Sequence, residues 1–132
     1  MSDVPTAGDE EAEALAERLR NAARNGDAAM LRTFLDAGVP VDVVGEEGDT
    51  FLMLAAYHGH AEVVQDLLDR GADPNVANAK GQTPLAGAVF KGFVDVVRVL
   101  AANGADPDAG TPTARAAAQM FDRADLLAIL DR

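Results

Sequence analysis

His58-Gly59-His60 places two imidazoles one residue apart, a spacing that suits a small metal site. They are the only His in the chain and there is no Cys, so a four-ligand centre cannot be completed from them. Asp73, Asp106 and Asp108 resemble a carboxylate set for acid–base work. Asp73 and Asp106 are each followed by Pro, in turn positions where an Asp side chain caps nearby backbone donors, and the turn role is the stronger. Ser2 is the only Ser and lies in the first residues, which leaves no credible Ser-His-Asp arrangement. The glycines follow a long period and not a strand-to-helix turn, so no phosphate-cradling loop is expected. Absence of Cys excludes disulfide and thiol chemistry and fits a cytoplasmic protein. These residues predict no catalysis, no metal and no cofactor.

What positions them is a repeat. Gly48-Asp49-Thr50, Gly59-His60 and Gly71-Ala72-Asp73-Pro74 recur as Gly81-Gln82-Thr83, Gly92-Phe93 and Gly104-Ala105-Asp106-Pro107, each pair 33 residues apart. A supersecondary unit repeated at this spacing is most simply a solenoid, in which each unit buries its apolar face against its neighbours. Within one unit, Thr50 to His58 predicts a short helix and Ala61 to Arg70 a longer one, with Gly59 and Gly71 as stops. Val63, Val64, Leu67 and Leu68 form an apolar stripe on the second helix. Met30, Leu31, Phe34 and Leu35 copy that stripe, as do Val96, Val97, Val99 and Leu100, and then Leu126, Leu127, Ile129 and Leu130.

Gly48 to Asn75 closely resembles the ankyrin repeat, Gly-x-Thr-x-Leu-x-x-Ala-Ala-x-x-Gly-His-x-x-Val-Val-x-x-Leu-Leu-x-x-Gly-Ala-Asp-x-Asn. The next unit matches through Gly81-Gln82-Thr83-Pro84-Leu85, Ala88, Gly92, Val96-Val97, Leu100 and Gly104-Ala105-Asp106. The resemblance implies an all-α solenoid of helix-turn-helix units joined by short β-hairpin-like fingers. It also implies that His60 belongs to a Gly-His turn and bonds backbone groups, and that the protein binds other macromolecules without catalysis. Two departures stand out: Thr50-Phe51-Leu52-Met53 lacks both the usual Pro and His, and Thr83-Pro84-Leu85-Ala86 lacks the His. Loss of both His predicts weaker polar coupling between repeats, with Phe51 and Met53 filling apolar space instead.

Shifting back by 33 finds a degenerate first unit, in which Leu19, Ala22-Ala23, Gly26 and Gly38 keep the pattern and Glu17 takes the Thr50 slot. Shifting forward finds Thr113-Ala114-Arg115 at an offset of 30, so the last finger is clipped by three residues. Such end units suit caps, whose outer faces meet water. Four units are expected, about 9–45, 46–78, 79–109 and 110–132, holding eight helices and about three fingers. Residues 1–8 are expected to form a flexible acidic tail.

The 132 residues carry a formal charge of −11 and are 48% hydrophobic but only 5% aromatic, which predicts a thin core of Ala, Val and Leu. The first 17 residues hold Asp3, Asp9, Glu10, Glu11, Glu13 and Glu17 with no Lys or Arg. So acidic a chain should be repelled by phosphate backbones and attracted to a basic partner surface, although solubility alone explains acidity too. No apolar stretch is long enough for a membrane span, and the start lacks the basic and apolar features of a secretory signal.

The resemblance directs partner binding to a concave face built from finger tips and the exposed ends of the first helices. Those helix slots hold Arg24 and Asn25, Tyr57 and His58, Phe90 and Lys91, and Met120 and Phe121. The finger slots hold Glu46, Glu47 and Asp49, then Ala79, Lys80 and Gln82. Tyr57, Phe90 and Met120 thus fall in one row, the composition of an interaction hot spot, unless they lean into the gaps between repeats as ordinary packing. The leading expectation is a non-catalytic protein–protein interaction module acting as a monomer. Self-association through the same face as a homodimer is the alternative, and a hidden enzyme the third.

Overall fold

Threonine starts three of the four inner helices. Thr50, Thr83 and Thr113 all have extended backbone, and each side-chain oxygen accepts a bond from the amide three residues on: Met53 at 3.0 Å, Ala86 at 3.2 Å and Ala116 at 2.9 Å. That is the N-cap geometry which satisfies one orphan donor of a helix start. The helices that follow are short: α3 (Phe51–Tyr57), α5 (Pro84–Lys91) and α7 (Ala114–Met120). In the first unit Glu17 replaces the capping Thr, and no helix starts there. The helix α1 runs straight through, Ala7–Asn25, 19 residues long.

A computed structural model describes residues 7–45 and 47–131, the placement of side chains in 7–9 excepted. Because α1 begins at Ala7, the helix reaches two residues into the expected 1–8 tail; residues 1–6 lie outside the described residues. The outer helices are α2 (Ala28–Asp36), α4 (Ala61–Asp69), α6 (Val94–Ala102) and α8 (Ala124–Leu130), which makes eight among the described residues. Inner helices α1, α3, α5 and α7 stack in series, outer helices α2, α4, α6 and α8 stack behind them, and each inner helix packs on the outer helix of its own unit. Four helix pairs therefore form one all-α solenoid.

The core lies between the two rows. Six consecutive residues of α3, Phe51 through Ala56, are buried, because this helix is enclosed by α1, α5 and α4 at once. Phe51 and Met53 fill that space as the missing Pro and His suggest. Val63, Val64 and Leu67 of α4 and Val96, Val97 and Leu100 of α6 are buried behind them, while Leu68 and Val99 are half-buried at the edge of the stripe. In α2 only Leu31 is buried, and ion pairs span its junction with α4: Arg32 to Glu62 at 2.8 Å and to Asp66 at 2.6 Å, and Arg70 to Asp36 at 2.7 Å.

A second interlock joins neighbouring units at the turn between helices. Gly26, Gly59 and Gly92 have positive φ, and a Cβ there would crowd His60, Phe93 and Arg123 respectively, in each case the residue just after the corresponding slot one unit on. His60 also donates from Nε2 to the Arg24 carbonyl at 2.7 Å, so one histidine couples the first two units through the backbone. Asp73 and Asp106 act in turns: their carboxylates accept from the Asn75 and Asp108 amides, each at 2.9 Å. Asn75 in turn accepts from the Asp106 amide at 2.7 Å, which stitches one turn to the next.

The fingers correct one expectation. They are not β-hairpins, and no strand occurs among the described residues. In the finger of the second unit Asn78 N donates to Gln82 O at 2.9 Å and Gly81 N to Asn78 O at 2.9 Å, a tight turn too short to propagate a ladder. Successive fingers are instead tied side by side, Ala79 N to Glu47 O and Thr111 N to Gly81 O, both at 2.9 Å.

Candidate functional site

The inner helices end at the face where the fingers begin, and the crevices between them form three clefts. The first, about 400 Å³, is lined by Glu13, Glu17, Arg20, Arg24, Gly45, Glu47 and Asp49. The second, about 250 Å³, shares Arg24, Glu47 and Asp49 with it and adds Met53, Leu54, Tyr57, His58, Asn78, Lys80 and Gln82. The third, about 180 Å³, shares Tyr57 and Gln82 with the second and is closed by Ala86, Gly87, Phe90, Pro112 and Ala117. Shared lining residues set them side by side in a row that crosses all four units.

At the α1 end the groove is charged. Arg20 is buried beneath Gly45, whose Cβ position lies 3.2 Å from its Nε, and it bonds Glu17 at 2.9 Å and Glu13 at 2.8 Å. Its Nη1 is buried without a hydrogen-bond partner among the described residues. The Arg20 bond, helped by Arg24, holds the Glu17 carboxyl below the usual range. Arg24 itself donates to Asn21 at 2.6 Å and Glu17 at 3.4 Å. Glu47 is exposed and its carboxylate takes part in no ion pair among the described residues; Glu46 lies outside them. Asp49 accepts from Asn78 at 2.9 Å.

Asn78 organises the finger between the first two clefts. Its Oδ1 accepts from the amides of Lys80 and Gln82, both at 3.0 Å, while its Nδ2 donates to Asp49 and to the Gln82 side chain at 3.0 Å. It sets the tip that carries Lys80 and Gln82. His58, exposed beside Tyr57, has its pKa lowered by partial burial first, then by the neighbouring His60, Arg24 and Lys91.

The predicted row of Tyr57, Phe90 and Met120 divides. Tyr57 is half-buried: its ring lies on Gly87, where an added Cβ would come within 3.0 Å of Cδ1, and Lys91 Nζ sits 5.1 Å above the ring centroid. The cation and the ring attract through the ring quadrupole, which holds Tyr57 flat as a wall of the groove. Phe90 and Met120 are 56% and 68% exposed. Phe121, 45% exposed, meets Phe90 edge to face with centroids 5.3 Å apart. Tyr57 and Phe90 thus share the third cleft, Phe121 supports its rim, and Met120 and Asn25 line none of the three clefts.

Gly87 escaped the sequence expectations, and Asn78 was expected only as a turn residue at a finger tip. Gly87 lies inside the unbroken helix α5 and breaks the repeat at the Leu54 slot, a signal that was available; a helix-interior Gly is costly and usually has a reason.

No group of three or more His, Cys, Asp or Glu is placed to hold a metal ion among the described residues, and no described helix is long and apolar enough to cross a membrane. What the four stacked helix pairs define is a helical-repeat scaffold with a groove of adjoining clefts on its inner face. The family model for ankyrin repeats, in three copies, matches residues 19–111, and the chain belongs to the ankyrin-repeat family. The match stops before α7 and α8, which the fold nevertheless adds as a fourth pair. A comparison with curated proteins returned no match. Ankyrin repeats are generally protein–protein interaction modules.

Proposed function

We propose that this chain is a non-catalytic interaction module that binds a partner protein in the groove between the inner helix ends and the fingers. The supporting observation is that the three clefts lie side by side and that their lining includes residues that break the repeat: Arg24, Tyr57, His58, Gly87 and Phe90. Positions that keep the repeat are spent on caps, turns and core, whereas these differ from unit to unit and line the clefts. Rigid aromatic walls bury large area at small entropic cost.

Affinity capture with the wild type and a Tyr57→Ala/Phe90→Ala double variant tests it. The partner recovered by the wild type is lost from the variant; equal recovery by both would sink the proposal. Exposure of Phe90, Met120 and Phe121 together supports a second reading, self-association through the same rim. Light scattering across a concentration series separates them, since a constant monomer mass excludes the dimer.

A further inference from the structure

The two ends of the groove differ in chemistry, and the difference selects a partner. At the α5–α7 end the third cleft is lined by Tyr57, Gln82, Ala86, Gly87, Phe90, Pro112 and Ala117, of which only Tyr57 and Gln82 carry a polar side-chain atom. Its volume of about 180 Å³ is on the scale of the roughly 150 Å³ that accommodates a benzene ring. One large apolar side chain fits there.

At the α1–α3 end Glu13 and Glu17 are matched by Arg20 and Arg24, and Glu47 and Asp49 remain as surplus negative charge. One cation, Lys91, stands toward the opposite end over the Tyr57 ring, and Lys80 lines the middle cleft. A partner's positive charge is therefore drawn to the first cleft and repelled from the rim of the third, which fixes the direction in which a segment lies. Adjacent packed helices are about 8–10 Å apart, so two steps separate the end clefts by about 20 Å. An extended chain covers that in about six residues at roughly 3.3 Å each.

Resting on the groove reading above, we infer that the partner presents an extended segment with a large apolar side chain for the α5–α7 cleft and a Lys or Arg about six residues away for Glu47 and Asp49. A second copy of this chain is a poorer occupant, since a net charge of −11 on each molecule opposes approach to the acidic end. Phosphate backbones are disfavoured for the same reason.

The test is selection of a random 12-residue peptide library displayed on phage against the immobilised full chain. Selected peptides are then synthesised and titrated, with the emission of Tyr57 as readout; it is the only Tyr and there is no Trp. Glu47→Lys and Phe90→Ser change exposed side chains, and thermal melts confirm that both variants are folded. Expected are peptides pairing a basic residue with Leu, Met or an aromatic about six positions apart, each variant weakening binding about tenfold. The Glu47→Lys effect shrinks as salt is raised.

Peptides that lose affinity to Phe90→Ser but carry no basic residue and ignore Glu47→Lys overturn this inference and leave the groove reading standing. Enrichment of acidic peptides overturns it equally. Peptides indifferent to both variants, or a library that does not enrich, sink the groove reading and this inference with it.

Discussion

Replacing Gly87 with Ala separates the role of the groove from the stability of the scaffold. Gly87 is in the interior of α5 and its φ is not in the left-handed region, so Ala fits the helical backbone and gains about 1 kcal/mol in propensity. Against this, the new methyl stands 3.0 Å from Tyr57 Cδ1 and 3.4 Å from Met53 Cε, so the Tyr57 ring must shift by a few tenths of an ångström. The ring is half-buried and can swing outward; what it gives up is contact with Gly87 and part of the Lys91 cation–π attraction, about 0.5–1 kcal/mol at an exposed site. The two effects nearly cancel. Stability should change by less than about 1 kcal/mol, a shift in Tm of no more than about 4 °C for a domain of this size. The third cleft, meanwhile, is narrowed by one methyl group and by the displaced Tyr57 ring. Urea denaturation followed by circular dichroism measures the first quantity, and Tyr57 emission measures the second, since no other Tyr or Trp obscures it. The expected result is an unchanged unfolding midpoint with an altered Tyr57 signal and weakened binding. A loss of stability above about 1.5 kcal/mol would refute the reasoning, because it would mean that Tyr57 is locked by its neighbours and is core instead of wall.

Thr83→Ala should cost about 1–2 kcal/mol, since it removes a buried cap bond to Ala86, and the urea midpoint checks it. Arg32→Ala should weaken the α2–α4 junction slightly at low salt and by nothing measurable at about 1 M salt, where exposed ion pairs are screened; parallel melts at the two salt levels decide. Lowering of the His58 pKa means that the unfolded chain binds a proton where the folded one resists it, so stability falls as pH drops through the unfolded His range. His58→Gln should flatten that part of the stability profile between about pH 8 and about pH 5, and an unaltered slope would place its origin elsewhere.

Period and cap residues were legible because a solenoid repeats its backbone problem. Three units start the inner helix with a Thr, and three follow it with a Gly at positive φ where the fourth has Asp122, so these types recur at regular spacing. The clipped last finger was legible for the same reason, as a shortened interval between Asp106 and Thr113. The long α1 was less so, because Glu17 in the Thr50 slot reads only as a missing match until one asks what the missing cap does: nothing stops the helix from continuing upstream. The fingers were misread as hairpin-like because turn residues alone do not tell whether the flanking chain pairs with itself or, as here, with the next finger. Among site residues, side-chain identity located the row but not the lean of each ring. That depends on the neighbouring unit, and Tyr57 goes down because Gly87 leaves it room.

One slot accounts for the shape of the groove. Counting by repeat, the inner-helix position three residues before the aromatic row is Asn21, then Leu54, then Gly87, then Ala117. Where it is Leu54, a buried side chain occupies the slot, and the opening it lines is mainly polar. Where it becomes Gly87 and Ala117, the same space is empty, and the row residues Tyr57 and Phe90 become its walls instead of its lid. The repeat therefore supplies identical backbone at every unit, and a change of a few carbon atoms at one slot turns a filled interface into an apolar cleft. It also explains why the apolar end of the groove lies at α5–α7 and the charged end at α1–α3, where Asn21 and Arg24 bond to each other and hold the surface polar.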